Sequence, residues 1–223
     1  MKILALDTST EACSVALWLD GDVRERFELG SQHSERILPM VDVLLAEAGI
    51  KLVQLEALVF GRGPGSFTGL RIAAGVAQGL AFGANLPVVP VSSLAVLAQG
   101  QDADKVLAAL DARMQQVYWG AYLRSPQGLM ELQGVEQVLA PEQVSLPQGE
   151  GWSGAGPGWD VYHAALQARL DRHLKTWQAQ QFPHARHLAE LGVAAFQAGQ
   201  AVAADQAVPV YIRDDVAVKS VRR

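Results

Sequence analysis

Ile3-Leu4-Ala5-Leu6-Asp7 is an apolar run closed by a carboxylate, and Val106-Leu107-Ala108-Ala109-Leu110-Asp111 echoes it in the second half of the chain. A short apolar run ending in a polar turn reads as a buried strand. Outward from the first copy, Lys2 to Ser9 is one strand and Cys13 to Leu19 a second, while Asp20-Gly21-Asp22 is a hairpin turn of the Asp-Gly type. Val23 to Leu29 alternates charged and apolar residues, as a half-solvated third strand does. Outward from the second copy, Val117-Tyr118-Trp119-Gly120-Ala121-Tyr122-Leu123 stands where Val15-Ala16-Leu17-Trp18-Leu19 stood, and Pro126-Gln127-Gly128 marks the matching turn. The halves read as one unit of strand meander plus helices used twice, joined at the polar stretch Gln101 to Asp104. This predicts two subdomains, 1–100 and 101–223.

Within the first unit, a helix is predicted from His33 to Ala48, with Gly49 as its stop and Pro39 near its first turn or at a bend. Leu58 to Phe60 is a short buried strand, Pro87 to Val91 another, and Ser92 to Gln99 a short helix. A duplicated unit with a strand-Asp-hairpin opening resembles the actin, hexokinase and Hsp70 superfamily. The resemblance implies an α/β, actin-like (ribonuclease H-like) fold of two subdomains with mixed central sheets. In that superfamily the two Asp-bearing turns face each other across a cleft and hold nucleotide phosphates and their metal.

Half of the 223 residues are hydrophobic and 18% are charged, the composition of a globular chain. The net charge of -5 argues against stand-alone RNA binding, because affinity for phosphates comes mainly from basic surface. Asp7 interrupts the apolar start too early for a signal-peptide core, and no uncharged run reads as a membrane span. Cys13 is the only cysteine, which excludes an internal disulfide or a cysteine metal cluster. A cytoplasmic protein with no membrane contact is the expectation.

The most specific segment is Gly61-Arg62-Gly63-Pro64-Gly65-Ser66-Phe67-Thr68-Gly69. It lacks the Gly-Lys-Ser/Thr ending of a Walker A loop. Its glycines give conformational freedom around the Pro64 turn, and Ser66 or Thr68 is placed to cap the next helix. Two readings stand: a helix start whose free amides take an anion, and a tight turn with no ligand. The helix that follows, Thr68 to Gly83, carries Arg71 as its only charge and repeats Gly75, Gly79 and Gly83 at four-residue spacing. Each interior glycine costs about 1 kcal/mol relative to alanine, so a close backbone approach must offset it. That approach comes from the chain's own domain or, as the preferred reading, from a second protein. On the neighbouring helix Ile37, Val41, Leu44 and Ala48 form one apolar stripe, and Leu38, Met40, Val43, Leu45 and Ala46 spread over much of the rest.

Asp7, Thr8, Ser9 and Thr10, with Asp111 opposite, are the residue types that hold a phosphate and a hydrated magnesium ion. The second turn, Asp111-Ala112-Arg113-Met114-Gln115, is poor in glycine and hydroxyls, so the pair reads as a remnant. Gly154, within Gly151-Trp152-Ser153-Gly154-Ala155-Gly156-Pro157-Gly158-Trp159, could border an adenine, although a glycine-rich loop packed by two tryptophans is the plainer reading. His184 and His187 are three apart on a predicted helix but lack an obvious carboxylate partner, so no metal site is expected. There is no His-Glu-x-x-His, and protease chemistry has no support. Cys13 reads as an inert core thiol. Val218-Lys219-Ser220-Val221-Arg222-Arg223 is a basic tail that could help an assembled complex touch tRNA phosphates.

Gly63-Pro64-Gly65-Ser66-Phe67-Thr68-Gly69-Leu70-Arg71-Ile72 resembles the signature of the TsaB (YeaZ) family. Leu6-Asp7-Thr8-Ser9, Cys13-Ser14-Val15-Ala16-Leu17, His33-Ser34-Glu35-Arg36-Ile37-Leu38-Pro39 and Pro209-Val210-Tyr211-Ile212-Arg213 are similar to it as well. The likeness is strongest over Met1 to Ser93 and thin from Gln127 to Ala207. It implies a non-catalytic relative and partner of TsaD, which transfers a threonylcarbamoyl group to the adenosine beside the anticodon in tRNAs reading codons that begin with A. It also implies that TsaE, an ATPase, joins the pair, that tRNA is met only through the complex, and that the chain forms a homodimer when alone. No cofactor of its own is implied; ATP or ADP and metal belong to the partner subunits. The implied partner interface takes Ile37, Met40, Val41, Leu44 and Leu45 from the first helix and Arg71, Ala74, Gly75, Gln78, Gly79 and Phe82 from the second. Asp7, Thr8, Asp111 and Gly154 would then line a vestigial nucleotide cleft. The competing reading is a stand-alone ATP-dependent kinase or transferase of the actin-like superfamily using Asp7 and Asp111.

Overall fold

The computed structural model describes residues 1–30 and 32–213; the basic tail from Val218 to Arg223 lies outside the described residues. The opening meander is as predicted. β1 (Lys2–Asp7) pairs antiparallel with β2 (Ala12–Leu19), which pairs antiparallel with β3 (Asp22–Leu29). Asp20 and Gly21 both take positive φ, the geometry whose twist suits a two-residue hairpin. After α1 (His33–Ala48), β4 (Ala57–Gly63) adds parallel to the other side of β1. α2 (Phe67–Ala84) then crosses over to β5 (Val88–Ser92), giving the order β3-β2-β1-β4-β5. Pro39 sits in the second turn of α1, which continues past it to Ala48 and stops at left-handed Gly49.

The second half repeats this arrangement. β6 (Lys105–Asp111), β7 (Val117–Arg124) and β8 (Met130–Leu132) form the meander, and β10 (Trp152–Ala155) and β11 (Leu174–Gln178) add parallel beyond β6. The order β11-β10-β6-β7-β8 is the first sheet's order read in reverse, and α4 (Pro157–Leu170) fills the place of α2. Where the first half has α1, the second has only β9 (Gln137–Leu139), paired to β7, and a short 3-10 turn. The fold is a duplicated actin-like one with a mixed sheet in each half.

The predicted boundary at residue 100 does not separate the packing. The helix after each sheet reaches toward the other half. α3 (Ser93–Gln99) inserts Leu94, Leu97 and Ala98 among Val106, Ala108 and Leu110 of the second sheet. α5 (Ala185–Gln197) returns to the first sheet and buries Ala185, Leu188 and Ala189 against Ile3, Ala5 and Val59. The span 101–223 is therefore not one packing unit, because the apolar stripe of α5 fits the open face of the first sheet. Gly192 allows that fit, since a Cβ there would collide with Val59.

Candidate functional site

The residues expected to line a remnant cleft are engaged within the chain itself. Asp7, at the end of β1, is fully buried, and its Oδ1 accepts hydrogen bonds from the amide (2.8 Å) and hydroxyl (2.7 Å) of Ser9. Its Oδ2 has no partner among the described residues and lies against the backbone of Gly61, where a Cβ would overlap it. Burial pushes the carboxyl up to about 6, against the lowering effect of the Ser9 and Ser93 contacts. The glycine-rich turn is pressed onto the same strand end. Side chains at Gly65 or Gly69 would overlap the carbonyls of Ser9 and Thr8. The Ser66 amide donates to the Ser9 carbonyl at 2.7 Å, and the Thr8 hydroxyl donates to the Gly69 carbonyl at 2.7 Å. Ser66 caps α2 by accepting from the Gly69 amide. Of the two readings of this turn, the tight turn is favoured: the Ser66 and Gly69 amides, which an anion would need, are taken by the Ser9 carbonyl and the Ser66 hydroxyl.

Asp111 is also engaged within the chain. Its Oδ1 accepts from the Arg113 amide (2.8 Å) and the Tyr162 hydroxyl (3.2 Å), and its Oδ2 pairs with the Arg113 guanidinium at 3.0 Å. Gly154 belongs to β10, and a Cβ there would run into the indole of Trp159. Trp159 is itself buried and donates to the Leu107 carbonyl at 3.1 Å. The Trp159 indole fills the space beside Gly154, which favours the tryptophan-packed loop over an adenine site.

The partner-binding residues divide into two sets. Ile37, Met40, Val41, Leu44, Leu45 and Ala74 are buried in the first half's own core, packed with β1, β2 and β4. These six correct the expectation: the broad apolar surface of α1 seats that helix on its own sheet, and Ala74 of α2 packs into the same core. Arg71, Gly75, Gly79, Phe82 and Gly83 form an exposed ridge on α2, with Gln78 half-buried beside it. Phe82 is 85% exposed, and apart from the adjoining backbone of α2 itself nothing among the described residues lies within 4 Å of a Cβ built on Gly75, Gly79 or Gly83. Among the described residues, then, no intrachain packing explains the glycine spacing. On α1 the large apolar residues left exposed are Leu38 and Val43, with Ala46 exposed as well.

The histidine pair does have a carboxylate nearby. Glu25, inward-facing on β3, lies 3.2 Å from His184 Nδ1 and accepts from the Arg186 amide (3.1 Å) and guanidinium (2.8 Å) and from Ser14 Oγ. Burial raises that carboxyl, but the bonds from His184, Arg186 and Ser14 outweigh it and hold it at about 2. His184 stacks on Phe27 with ring centroids 4.1 Å apart, so the cluster fixes the start of α5 on the first sheet. Strand β3 and α5 are too distant in sequence for spacing to reveal it. No group of three or more His, Cys, Asp or Glu able to hold a metal occurs among the described residues. Cys13 is buried and its thiol is pushed up to about 12, chiefly by that burial. No helix among the described residues is long and apolar enough to cross a membrane.

A family model described as TsaD: tRNA N6-adenosine threonylcarbamoyltransferase matches residues 28–220. The tRNA threonylcarbamoyladenosine biosynthesis protein TsaB of Escherichia coli (strain K12) is 45% identical to this chain, covering 98% of it and 97% of that protein. The chain belongs to the TsaB family. The TsaB protein of Haemophilus influenzae is 41% identical over 98% of the chain and 96% of its own length. A solved structure described as YeaZ from Pseudomonas aeruginosa superposes with a TM-score of 0.88 at 49% identity, covering 94% of this chain and 99% of that one. The TsaB family thus brings both the sequence and the two-sheet architecture together over nearly the whole chain.

Proposed function

We propose that this TsaB-family chain acts in the synthesis of threonylcarbamoyladenosine on tRNA as a non-catalytic subunit, pairing with the TsaD transferase through the outer face of α2 and the exposed edge of α1. TsaE joins the pair, and tRNA is met through the assembled complex. The modified position is the adenosine beside the anticodon in tRNAs that read codons beginning with A. ATP or ADP and metal are held by the partner subunits, the setting is the cytoplasm, and the chain self-associates through the same face when alone.

One observation carries this reading: Gly75, Gly79 and Gly83 recur along an exposed apolar ridge where no residue of the described chain approaches them. Glycines that cost helix stability and serve no internal packing make sense where another helix backbone comes close. The stand-alone kinase or transferase reading needs Asp7 open to a metal-bound nucleotide, and its burial beneath Gly61 disfavours that reading.

The test is a calorimetric titration of TsaD with this chain and with Gly79→Arg. The wild type is expected to bind. The arginine, reaching into an apolar contact, is expected to weaken binding at least about a hundredfold. Unchanged binding by a folded Gly79→Arg variant removes α2 from the interface.

A further inference from the structure

The motif Pro209-Val210-Tyr211-Ile212-Arg213 joins the glycine-rich turn after β4 to the turn after β6. On the first-half side, Gln78 of α2 donates to the Ala207 carbonyl at 3.0 Å, and the Val210 amide donates to the Arg62 carbonyl at 2.8 Å. The Tyr211 ring lies 5.6 Å from that of Phe67, and its hydroxyl accepts from Arg71 Nε at 3.1 Å. Two residues later, Arg213 reaches the second half. It donates to the Ala112 carbonyl at 3.0 Å and to Gln116 Oε1 at 2.5 Å, and its other nitrogen lies 3.4 Å from the Met114 sulfur.

The turn that Arg213 grips is under strain. Arg113, Met114 and Gln115 have φ of 60°, 53° and 59°, three consecutive non-glycine residues in the left-handed region. Such residues persist only where their surroundings over-determine them. Asp111 holds the turn from one side through the Arg113 amide and guanidinium, and Arg213 holds it from the other.

We infer that residues 207–213 form a strap that couples the exposed end of α2 to the left-handed turn 112–116, with Arg213 as its positioning residue. What happens at Arg71 and Phe67 is transmitted through Tyr211 to Arg213, and so to the turn. The coupling belongs to the isolated chain and does not depend on which protein covers α2.

Amide hydrogen exchange on the full chain tests this. The amides of Ala112 and Gln116 are closed within the turn, onto Gln116 O and Arg113 O, and report its opening. Arg213→Ala is expected to speed exchange at both by about tenfold, the loss of roughly one hydrogen bond's net worth, with Leu4 and Leu6 of β1 unchanged. Tyr211→Phe keeps the ring against Phe67 but loses the Arg71 bond, and it is expected to speed the same two amides by a smaller factor. If Arg213→Ala destabilises the whole fold, Arg213→Lys is read instead, since a lysine keeps the charge without bridging both acceptors. Unchanged turn amides in Arg213→Ala overturn the strap. Turn amides that ignore Tyr211→Phe overturn the transmission, and acceleration shared equally by β1 in both Arg213 variants reduces the contact to general stability and overturns it too.

Discussion

Asp7 Oδ2 rests directly on the backbone of Gly61, in space that any side chain at residue 61 would occupy. The carboxylate that would hold a metal-bound nucleotide in an actin-like enzyme is here part of the wall between β1 and β4. The glycines of this chain consequently fall into two kinds, and their substitution should have opposite signs. Gly61→Ala and Gly69→Ala force overlap with fixed neighbours and are expected to destabilise by about 1–3 kcal/mol or more. Gly75→Ala and Gly79→Ala meet open space and are expected to stabilise the monomer by about 0.5–1 kcal/mol each. Denaturant unfolding of the four variants checks this.

Asp7 also predicts a pH dependence. Its carboxyl is raised from 3.8 to about 6 in the folded chain, chiefly by burial. The contribution of this group is therefore fully present below the unfolded value and is lost as pH rises through about 6, by an amount on the order of 3 kcal/mol. Asp7→Asn keeps an acceptor for Ser9 and cannot ionise. Its stability between pH 4 and pH 8 should change less than the wild type's, in unfolding curves taken across that range.

Glu25 has the opposite sign. Its carboxyl is held at about 2, so its contribution is present above the unfolded value near 4.5 and is lost as pH falls through about 2. Removing it leaves the His184 and Arg186 contacts without their carboxylate. Glu25→Ala is expected to cost about 2–4 kcal/mol and to raise hydrogen exchange first in α5.

Leu44 and Phe82 separate core from surface. Leu44 is 1% exposed, and Leu44→Ala should cost about 2–5 kcal/mol of stability. Phe82→Ala should change stability by less than about 0.5 kcal/mol while weakening TsaD binding by about tenfold or more. Thermal unfolding and binding measured side by side distinguish the two.

The first sheet was legible because four of its strands are short apolar runs closed by a turn residue and the fifth, β3, alternates charged and apolar residues; the repeat was legible because Asp111 closes β6 as Asp7 closes β1. The α1 prediction, His33 to Ala48, matches the helix bounds because Gly49 supplies the left-handed stop. What periodicity could not give was direction. Ile37, Val41 and Leu44 are apolar whether they face their own sheet or another protein, and only the packed structure turns them inward and Gly75, Gly79 and Phe82 outward. The return of α5 to the first sheet was hidden for a related reason: its contacts with Ile3 and Val59 join residues at opposite ends of the chain. The same separation concealed the Glu25 cluster and the Tyr211 and Arg213 contacts.

On the proposed reading, this chain contributes a surface rather than a reaction centre. The most direct measurement is threonylcarbamoyl transfer to tRNA by TsaD and TsaE, reconstituted with wild-type chain, Asp7→Asn or Gly79→Arg. Near wild-type transfer is expected with Asp7→Asn, and loss of transfer with Gly79→Arg. Loss with a folded Asp7→Asn variant, together with full activity of Gly79→Arg, would contradict it and return the chemistry to the cleft.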